Sequence, residues 1–290
     1  MFNRLNQHLN VSSILVPEQY GFRRGINIEN AIFSLTNTIL SSLHKKRVIV
    51  GLFCDTSEAF DSVNQSVLLQ NLSYCGVRGI YLNWFESYST NRRQKVIIST
   101  HTGNYSSNWE TATSGVPQGS VLGPLLFLIY INDFPYIIHQ IAKPVIYADD
   151  TSILVHAAIV MELQVKIVDS IYQINEWFLV NGLTLNLDKT NIIKFSFKKS
   201  KEEHIHFRYP NIKETDSLKF LGLELDKFLN WKNYIDKLLP RLSNACFAIR
   251  SVSSYCDITT IKIIYFAYFH SLMEYGIAFW GNSIESVKSI

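Results

Sequence analysis

Apolar residues recur along this chain with the two periods that distinguish helices from strands. Between residues 160 and 180 they fall three or four positions apart. These positions are Leu163, Ile167, Ile171, Ile174 and Phe178. The spacing predicts an amphipathic helix that packs against a sheet. Short apolar, β-prone runs at 48–53, 144–147 and 152–155 predict strands.

The rest of the pattern predicts a mixture of helices and strands. Residues 1–47 indicate helical segments interrupted near Pro17 and Gly21. Further helices are expected at 64–75, 82–89, 119–132, 232–252 and 258–275, strands at 191–197 and 218–225, and a hairpin that pairs 95–100 with 108–113. The chain contains no internal repeat and no low-complexity linker.

Two adjacent acids, Asp149 and Asp150, fall at the tight turn between the runs 144–147 and 152–155. Like charges a few ångströms apart repel, and each raises the pKa of the other unless a cation lies between them. Mg²⁺ prefers hard oxygen ligands and would remove that penalty. The alternative is a solvated hairpin turn, because Asp is a common turn residue.

A third carboxylate, Asp55, follows the apolar run 48–53. If the hairpin strands lie beside that run, Asp55 approaches Asp149 from one side. A cluster of this kind can hold two metal ions, an arrangement that drives in-line displacement at phosphorus.

A loop punctuated by glycine and proline runs from Ser114 into an apolar segment that ends near Asp133. Gly119 and Ser120 are expected where this loop opens a helix, which leaves backbone N–H groups free. Such a helix start suits a phosphate or a nucleotide. The alternative is a packed loop–helix junction in a core.

Several blocks together carry a family resemblance. In chain order they are EQYGFR (18–23), FCD with AFD (53–55 and 59–61), GVPQGSVLGP (115–124), YADD (147–150), LNLDKT (185–190), KFLG (219–222), LNW (229–231) and YGIAFWG (275–281). The chain resembles the reverse transcriptase domain of non-LTR (LINE-type) retrotransposons, of the jockey-like kind common in insect genomes. Each block alone is a weak match, whereas all of them in order, across nearly the whole chain, are specific.

The resemblance implies an α+β right-hand polymerase. Partial fingers and the approach to the palm would occupy 1–47. A palm with an antiparallel sheet would occupy 48–227, with a fingers insertion at about 76–113. Residues 228–290 would form a helical thumb that is itself truncated.

The resemblance also assigns roles to residues. Asp55, Asp149 and Asp150 would be catalytic carboxylates around two Mg²⁺ ions, with Mn²⁺ as a substitute. Lys189 would be the general acid that protonates pyrophosphate, and the alternative is a solvated lysine at a strand edge. Phe60 would be the steric gate that excludes a 2′-hydroxyl, and the alternative is an ordinary core aromatic.

The other implied contacts concern the nucleotide and the primer. Pro117, Gln118 and Gly119 would line the nucleotide pocket, and Leu221 with Gly222 would form the primer grip. The expected partners are an RNA template, a DNA primer and dNTPs. The expected reaction is RNA-directed DNA synthesis.

Three other functions compete with this one. A decayed or domesticated fragment would bind nucleic acid without polymerising. An RNA-dependent RNA polymerase is disfavoured by Phe60, because such an enzyme must admit the 2′-hydroxyl. A non-enzymatic interaction domain leaves the three acids unexplained.

The chain also departs from the family pattern. Thr56 and Glu58 stand where relatives more often carry an apolar or a basic residue, and Glu58 adds a negative charge near the acids. The arginine-and-proline block that opens the fingers in the family is not found, so we expect an N-terminally truncated chain. Arg23 and Arg24 are poor substitutes for the residues that clamp a triphosphate.

The amino-acid composition says little about which of the competing functions is correct. The 290 residues, 47% of them hydrophobic, suffice for one large core or about two to three subdomains. A net charge of +3 is too small to indicate that the protein binds a polyanion such as a nucleic acid. Basic clusters at 45–47, 92–93 and 198–201 would each meet phosphates, although a solvated surface is the simpler interpretation of any one cluster.

Several classes of site and compartment are disfavoured. Cysteines 54, 75, 246 and 256 lack zinc-ligand spacing, which favours reduced thiols in an intracellular protein, nuclear or cytoplasmic. His204 and His206 alternate as on an exposed strand. The longest apolar segment, 121–131, is shorter than the roughly 20 residues of a membrane span, so no membrane partner is expected.

Overall fold

The computed structural model describes residues 1–101, 103–197, 212–284 and 286. The helices are α1 (Phe2–Val11), α2 (Ile28–His44), α3 (Gln65–Tyr74), α4 (Ile80–Ser89), α5 (Gly123–Tyr130), α6 (Phe134–Ile138), α7 (Val160–Val180), α8 (Lys232–Val252), α9 (Ile258–Ile264), α10 (Ser271–Glu274) and α11 (Ile277–Trp280), with a π-helical turn (Tyr265–His270) between α9 and α10. The predicted helices 160–180 and 232–252 are confirmed with their boundaries.

The strands complete the inventory. They are β1 (Val48–Ser57), β2 (Arg93–Gln94), β3 (Ile97–Thr100), β4 (Gly103–Ser106), β5 (Glu110–Thr111), β6 (Lys143–Tyr147), β7 (Asp150–Ala157), β8 (Thr184–Phe195), β9 (Lys213–Glu214), β10 (Ser217–Phe220) and β11 (Leu223–Asp226). Histidines 204 and 206 and the basic cluster 198–201 lie outside the described residues.

The main sheet has five strands in the order β6–β7–β1–β8–β9. Strand β1 pairs antiparallel with β7 on one side and with β8 on the other. Among the strand pairs that the structure describes in this sheet, the short β8–β9 pair is parallel, and Gln19 adds an isolated parallel bridge to Ile146 at the outer edge of β6. Strand β1 is the central strand, is hydrogen-bonded along both edges, and carries Asp55.

Alternate residues of β1 enter different cores, as the two-residue period of a strand requires. Val50 and Leu52 join an apolar cluster with α1, α3, α5 and α7. Ile49 and Phe53 join a second cluster with α2, α8 and the β10–β11 hairpin. The sheet is therefore covered on both faces.

The predicted pairing of 95–100 with 108–113 is wrong. Strand β3 pairs with β4 instead, and β2 pairs with β5. Every residue of these four strands is exposed. Register is strongly specified only where one face of a strand is buried, so the apolar pattern could not identify the partners.

The apolar helix after the loop begins at Gly123, not at residue 119. Pro124 lies in its first turn, where a fixed φ and a missing N–H suit a helix start. The Ser120 hydroxyl donates to the Pro117 carbonyl at 2.7 Å and accepts from the Gly123 N–H at 2.9 Å. Gly119, with φ +75°, therefore belongs to a turn before the helix.

Two strand boundaries also differ from the prediction. Strand β1 continues through Asp55 to Ser57, so Asp55 lies within the strand. Residues 217–226 form a separate two-stranded hairpin, β10–β11, and are not strands of the main sheet. None of the helices among the described residues is long and apolar enough to cross a membrane.

Gly21 lies against the turn between β6 and β7. A Cβ atom at this position would come within 2.4 Å of the Ala148 nitrogen and 3.1 Å of its Cα. Both are backbone atoms, which cannot move aside cheaply. We expect Gly21→Ala to lower the free energy of unfolding by about 3 kcal/mol, the upper range for overpacking, as measured by urea denaturation.

Gly25→Ala is the matched control. Gly25 has φ +77° and open space around the added atom. Its substitution adds backbone strain without a collision and should cost about 1–2 kcal/mol. Equal losses in the two variants would contradict the close packing at Gly21.

Candidate active site

The acid pair lies on the β6–β7 hairpin, as predicted. Tyr147 pairs with Asp150, which leaves Ala148 and Asp149 as a two-residue turn. Ala148 has φ +58°, a conformation that glycine usually supplies in such turns. For an L-residue it costs about 1–2 kcal/mol.

The N-terminal segment holds this turn. The Gln19 side-chain oxygen accepts hydrogen bonds from the N–H groups of Ala148 (3.0 Å) and Gly21 (2.7 Å). Its amide nitrogen donates to the Ala148 carbonyl at 3.3 Å. On either side of Gln19, backbone hydrogen bonds join Glu18 and Tyr20 to Ile146.

Strand β1 brings Asp55 to the same end of the sheet. Its neighbour Cys54 pairs with Thr151, the residue after Asp150. On the other edge, the pairing with β8 passes from Phe53–Asn191 to Asp55–Asn186, so residues 187–190 form a bulge within β8. The Lys189 ammonium in this bulge lies 3.6 Å from an Asp55 carboxylate oxygen.

A cavity of about 220 Å³ joins several of the predicted site residues. Asp55, Asp150, Lys189 and Leu221 all line it. Asp149 instead lines a small space of about 10 Å³ with Thr56, Trp177 and other residues. The structure thus brings Asp55 and Asp150 into one cavity and leaves Asp149 beside it.

Electrostatics couple the three acids nonetheless. Burial raises the pKa of Asp150 above its ordinary value, and the charges of Asp149 and Asp55 raise it further. The charged form of Asp150 is therefore disfavoured where it stands. Asp55 has a partial counter-charge in Lys189, although both side chains are largely solvated, which weakens the pair.

The donor set is consistent with a hard divalent cation. Asp55, Asp149 and Asp150 offer only carboxylate oxygens, which suit Mg²⁺ or Mn²⁺, and a cation would offset the repulsion on Asp150. Among the described residues, however, no three His, Cys, Asp or Glu side chains form a preassembled metal-binding group.

The Phe60 ring is held by other aromatic rings. It stacks on Phe127 with 4.5 Å between ring centroids and meets Phe22 edge-on at 6.5 Å. Phe60 is half-buried and does not line the cavity of Asp55 and Asp150. Its ring is therefore fixed in position.

The loop before α5 docks onto the turn that follows β1. The Val116 and Gly115 N–H groups donate to the carbonyls of Phe60 and Val63. The Gln118 amide donates to the Asp61 carboxylate at 2.7 Å. Pro117, Gln118 and Gly119 are thereby held near Phe60 and not in the acid cavity.

Leu221 and Gly222 form the turn of the β10–β11 hairpin, with Phe220 paired to Leu223. Both have positive φ, +44° and +87°. The Tyr275 hydroxyl donates a hydrogen bond to the Leu221 carbonyl. A Cβ on Gly222 would lie 2.7 Å from that hydroxyl oxygen, so the predicted primer grip packs closely against Tyr275.

Gln19 and Tyr275 have no role predicted from the sequence, although both lie in blocks that carry the family resemblance. The only signal was their place in those blocks. Arg23 donates to the carbonyls of Val16 (2.7 Å) and Gln19 (3.1 Å), and burial lowers its pKa. Its guanidinium therefore braces the backbone of the N-terminal segment.

Comparison with known proteins agrees with the family resemblance seen in the sequence. A family model for reverse transcriptase (RNA-dependent DNA polymerase) matches residues 1–225. A probable RNA-directed DNA polymerase from transposon X-element of Drosophila melanogaster is 26% identical over 94% of this chain. The RNA-directed DNA polymerase from mobile element jockey of the same species is 24% identical over 96%. The chain spans only 30% and 31% of these two relatives.

Solved structures show the fold. Telomerase from Candida albicans, in complex with a TWJ fragment of telomeric RNA, aligns over 98% of this chain and 52% of its own, with a TM-score of 0.54 and 11% identity. Apo telomerase from Candida tropicalis, truncated from the C-terminal domain, aligns over 78% and 43%, with a TM-score of 0.52 and 18% identity. These similarities confirm the predicted right-hand polymerase fold.

We expect Asp150→Asn to raise the melting temperature in metal-free buffer at neutral pH. The substitution removes a carboxylate whose charged form is disfavoured by burial and by two like charges. Since the folded-state pKa is raised, the wild type gains stability as pH falls through that pKa. The advantage of the variant should shrink as pH approaches 3.8, the ordinary pKa of Asp.

Asp236→Asn, at an exposed position on α8, is the control and should leave the melting temperature unchanged. Adding Mn²⁺ should stabilise the wild type more than Asp150→Asn, because a ligand stabilises the form that binds it better. A lower melting temperature of Asp150→Asn at neutral pH without metal would contradict the electrostatic account.

Proposed function

Because this chain belongs to the reverse transcriptase (RNA-dependent DNA polymerase) family, we propose that it is the polymerase module of a retrotransposon protein. It adds dNTPs to the 3′-hydroxyl of a DNA primer and takes its sequence from an RNA template. Its curated relatives in Drosophila are named as RNA-directed DNA polymerases of mobile elements, which supports this proposal.

One observation carries the proposal. Asp55 and Asp150 line the same cavity at the end of adjacent strands, and the charges of Asp55 and Asp149 raise the pKa of Asp150. A protein that needed these positions only for folding would gain stability from neutral residues. Destabilising groups that persist at such a site are typical of function.

Divalent ions are the cofactors that this site requires. The family generally uses divalent metal ions, and Asp55, Asp149 and Asp150 would hold them here, as two Mg²⁺ or Mn²⁺. Such ions, when bound, favour ionisation of the primer hydroxyl and neutralise the charge that develops on pyrophosphate.

The residues of the chain itself position the reactants. Lys189, beside Asp55 in the same cavity, delivers a proton to the leaving pyrophosphate. Phe60, held by Phe127 and Phe22, excludes the 2′-hydroxyl of a ribonucleotide. Gln118 and neighbouring loop residues contact the nucleotide, while the turn at Leu221 contacts the primer end.

Primer extension on an RNA template tests the reaction. With dNTPs and Mg²⁺, Asp149→Asn should reduce kcat by about 10²–10³-fold or more, the range for loss of a charge-stabilising group. Binding of primer–template, measured by fluorescence anisotropy, should be retained. Asp236→Asn is the matched control and should extend at the wild-type rate.

Two outcomes would decide against the proposal. Extension by Asp149→Asn at the wild-type rate would remove Asp149 from the chemistry. Tight binding of primer–template by the wild type without any extension would favour a nucleic-acid-binding module that does not polymerise.

Phe60→Val tests the selection of the sugar. We expect the ratio of kcat/KM for dNTP over rNTP to fall by about tenfold or more, within the range for one pocket contact, because the smaller side chain admits the 2′-hydroxyl. Single-nucleotide incorporation with each substrate measures the ratio. An unchanged ratio at a normal rate with dNTP would show that Phe60 is not the gate.

A further inference from the structure

The direction of the two adjacent acids depends on a single turn. Asp149 is the second residue of the two-residue turn between β6 and β7, and Asp150 is the first residue of β7. Any rotation of the Ala148–Asp149 peptide would change where both carboxylates point. Ala148 holds a positive φ that an alanine rarely adopts, so the turn needs support from outside the hairpin.

That support comes from one side chain. Gln19 is 2% exposed, and its amide reaches both backbone polar groups of Ala148, accepting from the N–H and donating to the carbonyl. The same oxygen accepts from the Gly21 N–H. The two bonds to Ala148 tie the turn to the N-terminal segment, and the bond from Gly21 orients the Gln19 side chain within that segment.

Only an amide of this length meets all three demands. A carboxylate would accept but not donate, and a hydrocarbon would leave the Ala148 N–H and carbonyl without their partners. Gly21 contributes by the absence of a side chain, because a Cβ there would collide with the Ala148 backbone. The segment 19–21 therefore fits closely against residue 148.

We infer that Gln19 is a positioning residue, which fixes the Ala148 peptide and thereby aims the Asp149 and Asp150 carboxylates for metal binding. This inference rests on the proposed function. It goes beyond a structural role for Gln19, because it predicts losses in metal affinity and kcat that exceed those of an equally destabilised variant.

Asn132 provides that matched control. Its side-chain amide also bridges backbone groups of the N-terminal segment, accepting from the Val16 N–H at 3.0 Å and donating to the Ile14 carbonyl at 2.9 Å. Its side-chain hydrogen bonds go to Val16 and Ile14 and not to the turn at Ala148. Asn132→Leu therefore removes a comparable pair of hydrogen bonds while leaving the acids aimed.

The experiment compares Gln19→Met, which preserves shape without hydrogen bonds, with Asn132→Leu in the full chain. Hydrogen–deuterium exchange should be about tenfold faster at the Ala148 amide in Gln19→Met and unchanged in Asn132→Leu. Mn²⁺ titration followed by electron paramagnetic resonance should show about tenfold weaker binding in Gln19→Met only.

Primer extension supplies the kinetic measurement. In Gln19→Met, kcat should fall by about 10–10²-fold, as expected for misplaced reacting groups, while the KM for dNTP and primer–template binding stay close to wild type. If Gln19→Met does not fold, Gln19→Asn replaces it, because this amide carries the same charge but is too short to reach Ala148.

The outcomes separate the two proposals. Wild-type exchange at Ala148 and wild-type Mn²⁺ affinity in Gln19→Met, or effects equal to those of Asn132→Leu, would overturn the positioning role. If the wild-type chain extends no primer, the proposed function fails, while exchange and Mn²⁺ binding still decide the role of Gln19.

Discussion

The site depends on holding carboxylates where their charges repel one another. Asp150 bears this cost most clearly, because burial and both neighbouring acids disfavour its charged form. The fold withstands this repulsion because the strands that carry the acids are held firmly in place. Asp55 lies on β1, which is hydrogen-bonded along both edges, and apolar clusters cover both faces of that strand. Burial of apolar residues on both faces of β1 thus supplies stability that offsets the repulsion between the acids.

Two strained turns face this site, and a distant side chain holds each of them. Gln19 holds the turn at Ala148, and Tyr275 holds the turn at Leu221. A positive φ costs an alanine or leucine about 1–2 kcal/mol, while each hydrogen bond returns about 0.5–1.5 kcal/mol. The two terms nearly cancel, so removing a holding residue should loosen the turn without unfolding the domain. Strain of this kind is common at functional sites.

The elements predicted best from the sequence are those whose apolar positions are also the positions buried in the structure. Helix α7 turns one apolar face to the sheet, and its boundaries follow from that face alone. The β3–β4 hairpin buries no residue, so nothing in the pattern fixes its partner. The bulge at 187–190 that carries Lys189 could not be predicted for a related reason, because a bulge depends on the pairing of two strands. The motifs located the three acids, whereas the placement of Asp149 outside the cavity of Asp55 and Asp150 depends on the three-dimensional packing.

The blocks that carried the family resemblance contact one another in pairs. The block 18–23 holds the turn of 147–150, 115–118 docks on 59–63, and 275–281 packs on 219–222. The two blocks of each pair are far apart in sequence, and the backbone of one block holds the other in position. The acids alone therefore do not define the site. A segment with the five-stranded sheet but without residue 19 would keep every carboxylate and lose the group that aims two of them.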